Sequence, residues 1–104
     1  MALRVRVCAR ADVVDGELRA FPVPGVIWPV IVTRIEGALV AVSGVCPHED
    51  VALWDGELAG HAIVCPGHGY AFDVRTGRCK HAPALELRRY PITQIGDELW
   101  VDLL

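Results

Sequence analysis

Two short segments, Cys46-Pro47-His48 and Cys65-Pro66-Gly67-His68, constrain this chain more than any other feature. Each carries one thiol and one imidazole, and sixteen residues separate them. If both segments serve one site, the fold must bring two loops face to face. Thiolate and neutral imidazole are good ligands for iron and zinc, which gives a reason to expect that meeting. Two Cys with two His is the ligand set of a [2Fe–2S] centre in which two His replace two Cys on one iron. On this reading Cys46 and Cys65 hold an inner ferric iron, and His48 and His68 an outer, redox-active one. Imidazoles in place of thiolates lower the negative charge of the cluster and raise its reduction potential.

A structural zinc site uses the same donors and stays as a remote alternative. Common zinc fingers place two Cys in one hairpin and two His after it, spaced C-x-x-C and H-x(3–5)-H. Here each segment holds one of each, the wrong order for a finger. The brown colour of an iron–sulfur protein separates the two readings.

The pattern resembles the Rieske ferredoxins, whose signature is C-x-H, a spacer, and C-x-x-H. The likeness continues through Gly69-Tyr70-Ala71-Phe72-Asp73, Thr76-Gly77 and Gly96-Asp97-Glu98-Leu99-Trp100-Val101-Asp102-Leu103, so it covers nearly the whole chain, most specifically residues 44–79. It implies an all-β fold, an antiparallel β sandwich or barrel base bearing a small cluster-binding subdomain of two loops. It implies a single domain over 1–104, with the subdomain at about 44–79. Cys46, His48, Cys65 and His68 would ligate one [2Fe–2S] cluster, with no catalytic residue in the chain. The function implied is that of a soluble ferredoxin passing single electrons from a flavin reductase to a terminal oxygenase. That oxygenase is an aromatic-ring dioxygenase or a di-iron monooxygenase; the acidic Glu49-Asp50 after the first His looks more like the latter group. The small Rieske-like subunit of an assimilatory nitrite reductase is the alternative use, and it would need a permanent apolar interface.

The resemblance also bears on potential. High-potential relatives have Ser one residue beyond the Gly that follows the second His, and Tyr two positions later, both donating to sulfur. This chain has Tyr70 and Phe72 there. Those relatives also tie their ligand loops with a disulfide, whereas position 67 is Gly and residues 49–54 contain no Cys. The expected potential is toward the lower end of the Rieske range of roughly −150 to +300 mV. Of four cysteines, Cys8 and Cys79 are left over and read as small semi-buried thiols.

Length and composition fit such a carrier. One hundred and four residues with 53% hydrophobic content make one small folded domain. The most apolar stretch, residues 26–32, is interrupted by Trp28-Pro29 and falls far short of a membrane span. The amino terminus shows Arg4 and Arg6 in strand-like alternation rather than a signal core, so a cytoplasmic location is expected. The net charge of −3, with ten scattered basic residues, gives no footprint for nucleic acid. A free carrier is expected to be a monomer.

Alternating or β-branched runs place strands at 3–8, 17–23, 26–34 (with Pro29 at an edge or bulge), 38–43, 61–64 and 71–74. A last hairpin joins 85–95 to 98–103 around Gly96-Asp97, and Glu36-Gly37 makes another turn. Pro47, Pro66, Gly67 and Gly69 are expected to shape the ligand loops. His61 and His81 read as surface or strand residues, Glu49 and Asp50 as a solvated rim. Trp28, Trp54 and Trp100 read as core or loop-covering side chains, with Trp54 the candidate among them to face a partner.

Overall fold

In chain order the strands of the computed structural model, which describes residues 3–67 and 69–103, are β1 (Arg4–Ala9), β2 (Arg19–Phe21), β3 (Val30–Ile35), β4 (Ala38–Ser43), β5 (Glu57–Ala59), β6 (Ala62–Val64), β7 (Ala71–Asp73), β8 (Arg89–Tyr90), β9 (Ile92–Ile95) and β10 (Glu98–Asp102). Two single 3-10 turns, Arg10–Asp12 and Leu53–Asp55, are the only helical elements among the described residues. The strands form three antiparallel sheets, ordered β1-β10-β9, β2-β3-β4-β8 and β5-β6-β7. The fold is all-β, as the sequence led us to expect.

Strand β3 organises the molecule because both of its faces are apolar. Side chains alternate across a strand, so Val30 and Val32 point one way and Ile31 and Thr33 the other, all with 0% exposure. The first face joins a core with Val7, Leu99, Val101 and Tyr90, packed against the β1-β10-β9 sheet. The second joins a core with Val42, Leu53, Ile63, Phe72 and Leu87, which lies under the ligand loops. One sheet thus serves two cores, and a continuous Val-Ile-Val run is what such a strand requires. Strand β4 pairs with β3 from Val30↔Ser43 to Ile35↔Ala38. Glu36 and Gly37, at φ 52° and 80°, form the two-residue turn whose twist matches its strands.

Four boundaries differ from the sequence expectation. Strand β3 begins after Pro29, and residues 26–29 are loop, with Ile27 98% exposed. Strand β2 shrinks to three residues. The segment 55–60 contains β5, whose single inward Leu58 is too short a signal for alternation to reveal. The stretch 85–95 is divided, because Pro91 has no N–H to donate and separates β8 from β9. Strand β8 pairs with β4 and β9 with β10, so the chain changes sheets at Pro91. The Gly96-Asp97 hairpin forms where expected.

Cys8 and Cys79 are buried and free. Burial, reinforced by Asp12 and opposed by Arg6, pushes the Cys8 thiol up to about 11, so it stays protonated near neutral pH. Among the described residues no helix is long and apolar enough to cross a membrane.

Truncation of Ile31 tests the shared sheet. Ile31→Ala removes a fully buried side chain from the core beneath the loops, and should cost about 2–5 kcal/mol in urea unfolding. A loss below about 1 kcal/mol would show that the loops do not depend on that face.

Candidate metal centre

The two ligand loops are built alike. A Val–Ala antiparallel pair flanks each one, Val45↔Ala52 and Val64↔Ala71. In each the Cys following that Val donates its N–H to the carbonyl five residues on. Cys46 N lies 3.0 Å from Val51 O, and Cys65 N lies 2.8 Å from Tyr70 O. Pro47 and Pro66 come directly after the two Cys and fix φ at the same point of each turn. The first loop is tightened by Val51 N–H donating to Glu49 O at 2.7 Å, the second by Gly69 N–H donating to Cys65 O at 3.0 Å. Gly69 sits at φ 71°, in the left-handed region that favours glycine.

Glycines let the loops meet. A Cβ on Gly67 would lie 2.9 Å from Glu49 Oε1, 3.5 Å from Val51 Cγ2 and 3.8 Å from Cys65 Sγ, so the second loop rests directly on the first. A Cβ on Gly56 would lie 2.0 Å from the Val64 carbonyl oxygen, which no side chain could tolerate without a backbone shift. Glu49 and Asp50 are both exposed, as a solvated rim would be, and the Glu49 carboxylate also leans over Gly67.

The sulfurs lie inside and an imidazole outside. Cys46 and Cys65 are 2% and 1% exposed, whereas His48 is exposed at the loop tip. The two thiols are hydrogen-bonding neighbours. Burial first, then the Cys65 thiol, push the Cys46 thiol up in pKa, while the backbone N–H groups of His48 and Glu49, directed at its sulfur, pull it down. Amides aimed at sulfur favour a sulfur that carries charge, as a metal-bound thiolate or a cluster does. Two buried, adjacent thiols with such donors fit an iron–sulfur group. His68 lies outside the described residues. The floor of the site is Leu53, Ile63, Phe72, Val74 and Leu87, all buried in one core with both Cys and Cys79. Phe72, fully buried, offers the sulfurs an apolar wall and no donor.

Other side chains gain neighbours that the sequence does not show. Trp54 is half-buried and covers a loop, as expected: it packs on Trp28, with ring centroids 6.1 Å apart, and lies over Gly44. A Cβ there would come within 2.8 Å of the indole, so the missing side chain is its seat. His61 Nε2 lies 3.2 Å from Glu36 Oε2 and joins the β3–β4 turn to the β5–β6 turn. His48 meets the Tyr70 ring edge-to-face, and Tyr70 in turn lies beside His81. His81 was invisible as a neighbour of the site because no ligand spacing links it to either loop.

Asp73, directly after Phe72, locks the turn behind the second loop. Its carboxylate takes the Arg75 N–H at 2.8 Å and the Arg75 guanidinium at 2.9 and 3.1 Å, and its carbonyl takes Gly77 N–H at 2.6 Å. The Arg75 hydrogen bond is the largest cause that lowers the Asp73 carboxyl from 3.8 to about 2. A lowered carboxyl adds stability above its unfolded value and loses it as pH falls toward its folded one. Asp73→Asn should therefore cost about 1 kcal/mol at pH 7, given that Arg75 is largely exposed. In thermal unfolding the difference from the parent should fade between pH 3.8 and about 2; a difference independent of pH would place the effect in the turn and not in the charge.

Comparison with known proteins places this geometry. The family model described as the Rieske [2Fe-2S] domain matches residues 4–91. The ferredoxin component of biphenyl 2,3-dioxygenase from Rhodococcus jostii (strain RHA1) is 35% identical over 104 residues, covering 99% of this chain and 94% of the relative. A ferredoxin of Sphingomonas yanoikuyae B1 superposes with a TM-score of 0.86 at 30% identity, covering 98% of this chain and 100% of that one. A chain in a complex of reduced oxygenase and oxidized ferredoxin of carbazole 1,9a-dioxygenase superposes with a TM-score of 0.83 at 31% identity, covering 95% and 92%.

Proposed function

Because the chain belongs to the Rieske [2Fe–2S] domain family, we propose that it is a one-electron carrier, taking electrons from a flavin-dependent reductase and delivering them to a terminal oxygenase. The observation that carries this reading is the gradient of burial at the loops. The sulfurs of Cys46 and Cys65 are sealed from solvent, and the imidazole of His48 is at the surface. An electron exchanged with a partner would pass on the His side, where the distance is shortest.

Cys46, His48, Cys65 and His68 hold one [2Fe–2S] cluster, and when bound it supplies reversible one-electron chemistry. The protein's own part is positional. Paired loops set the ligands, Leu53, Ile63 and Phe72 exclude water from below, and the N–H groups of His48 and Glu49 stabilise charge on the Cys46 sulfur. We take residues 1–104 as a single domain in which about 44–79 form the cluster-binding part. The likeness to a biphenyl dioxygenase ferredoxin favours an aromatic-ring dioxygenase as the oxygenase served. The carrier is a cytoplasmic monomer on this reading; a permanent subunit, as in a nitrite reductase, would instead purify as a tight complex.

Spectroscopy and voltammetry test the centre. The purified protein should be brown, contain two irons, and show a potential below about +150 mV, because Phe72 and Tyr70 replace the side-chain donors of high-potential relatives. Cys65→Ser should abolish the visible absorbance. A normal cluster in that variant, or zinc without iron in the parent, sinks the assignment.

Docking should centre on the small and apolar residues around the tip, Pro47, Pro66 and Gly67, in a brief encounter burying under about 1,200 Å². Gly67→Lys places a charge on this face, and its stem first meets the Glu49 carboxylate, with which it can pair. Stopped-flow transfer to the oxygenase should slow roughly tenfold while the absorption spectrum is kept. An unchanged rate would put the docking face elsewhere.

A further inference from the structure

We propose that Tyr70 is the positioning residue for the His48 imidazole, holding its rotation from across the gap between the two loops. The inference rests on the carrier reading above, in which His48 is a ligand of the outer iron. The two rings lie 4.6 Å apart between centroids with their planes at 86°, the edge-to-face arrangement that aromatic quadrupoles favour. The contact is between loops: His48 belongs to the one closed at Val51, and Tyr70 closes the other through its carbonyl's bond with the Cys65 N–H.

A ligand histidine has to point one nitrogen along a fixed bond direction, yet its ring torsion is broad and soft. In most metal sites a hydrogen bond from the second nitrogen to a carboxylate or carbonyl fixes the ring. Packing against the ring limits the same rotation, and Tyr70 supplies such packing to His48.

Tyr70 is itself held on both sides. Its backbone is pinned by the bond that shapes the second loop, and its far side meets the His81 ring at 6.2 Å and an interplanar angle of 32°. His81 arrives on a third segment, anchored by Lys80 N–H donating to Ala71 O at 3.1 Å and by the Phe72↔Cys79 bridge. The half-buried tyrosine therefore stands between two exposed histidines, and its ring cannot swing aside without parting from one of them.

Electron paramagnetic resonance of the reduced holoprotein reads this directly, because the spin at the outer iron senses its nitrogen ligands. Tyr70→Phe keeps the ring and should keep the g values, linewidths and nitrogen couplings of the parent. Tyr70→Leu keeps apolar bulk without a ring and, with iron content unchanged, should broaden the lines roughly twofold and spread the couplings of one histidine. A parent-like spectrum from Tyr70→Leu overturns the proposal. So does equal broadening in Tyr70→Phe, which would assign the effect to the hydroxyl. Should Tyr70→Leu fail to load iron, His81→Ala removes the outer support alone; broadening then supports the proposal and a parent-like spectrum overturns it. Absence of any [2Fe–2S] signal from the unsubstituted protein would overturn the carrier reading itself, whereas a normal parent signal with an unaffected Tyr70→Leu overturns only this inference.

Discussion

The closing bond of each ligand loop, from a cysteine amide to the carbonyl five residues on, is the constraint on which the site depends. It gives two separate stretches of chain the same shape, with the thiol turned inward at the start of the loop and the rest of the turn above it. Proline after each cysteine removes one soft torsion at the same place. Two matching loops can then face each other, with Gly67 thin enough to rest against Glu49 and Val51. The chemistry of the site is thus prepared by backbone geometry before any ligand is considered.

That geometry needs a rigid footing, and the footing is a sheet with two cores. Had β3 been apolar on one face only, the molecule would have closed as a small sandwich with the loops left on its edge. Instead Ile31 and Val42 carry the same sheet into the second core, where Leu53, Ile63 and Phe72 lie beneath the thiols. The β2-β3-β4-β8 sheet lies between the pairing of the terminal strands β1 and β10, strapped by Arg4–Asp102 and Arg6–Glu98, and the loops on its far side. Such surface ion pairs add little energy singly; the buried aliphatic contacts set the arrangement.

Burying two thiols side by side is unfavourable for their charged forms, which explains the upward push on Cys46. The same burial suits a metal cluster, where charge is shared and water would only compete. A site with its sulfurs sealed and an imidazole exposed has one natural direction for electron exchange. The aromatic group of His48, Tyr70 and His81 stands on that side, linking both ligand loops to the segment after Cys79.

The donor set, the alternation of Cys and His, and the all-β character were legible in the sequence because each depends on local residue type and period. So were the Glu36-Gly37 and Gly96-Asp97 turns, whose backbone demands are met by two residues each. Relations between distant segments were not. Nothing local announces that Pro91 divides an apparently continuous strand between two sheets, since each half has strand character of its own. Trp54 reads as a loop-covering side chain, but which residues seat it, Gly44 and Trp28, ten and twenty-six positions away, is decided only on folding. Tyr70 reads as a lost hydroxyl donor in the sequence, and only folding shows its ring against His48. The sequence by itself determined which atoms are available to bind iron and the turns that present them. Tertiary structure decided which of those atoms are sealed, which are exposed and what holds them, because burial and ring packing are properties of surfaces that form only when separate segments meet.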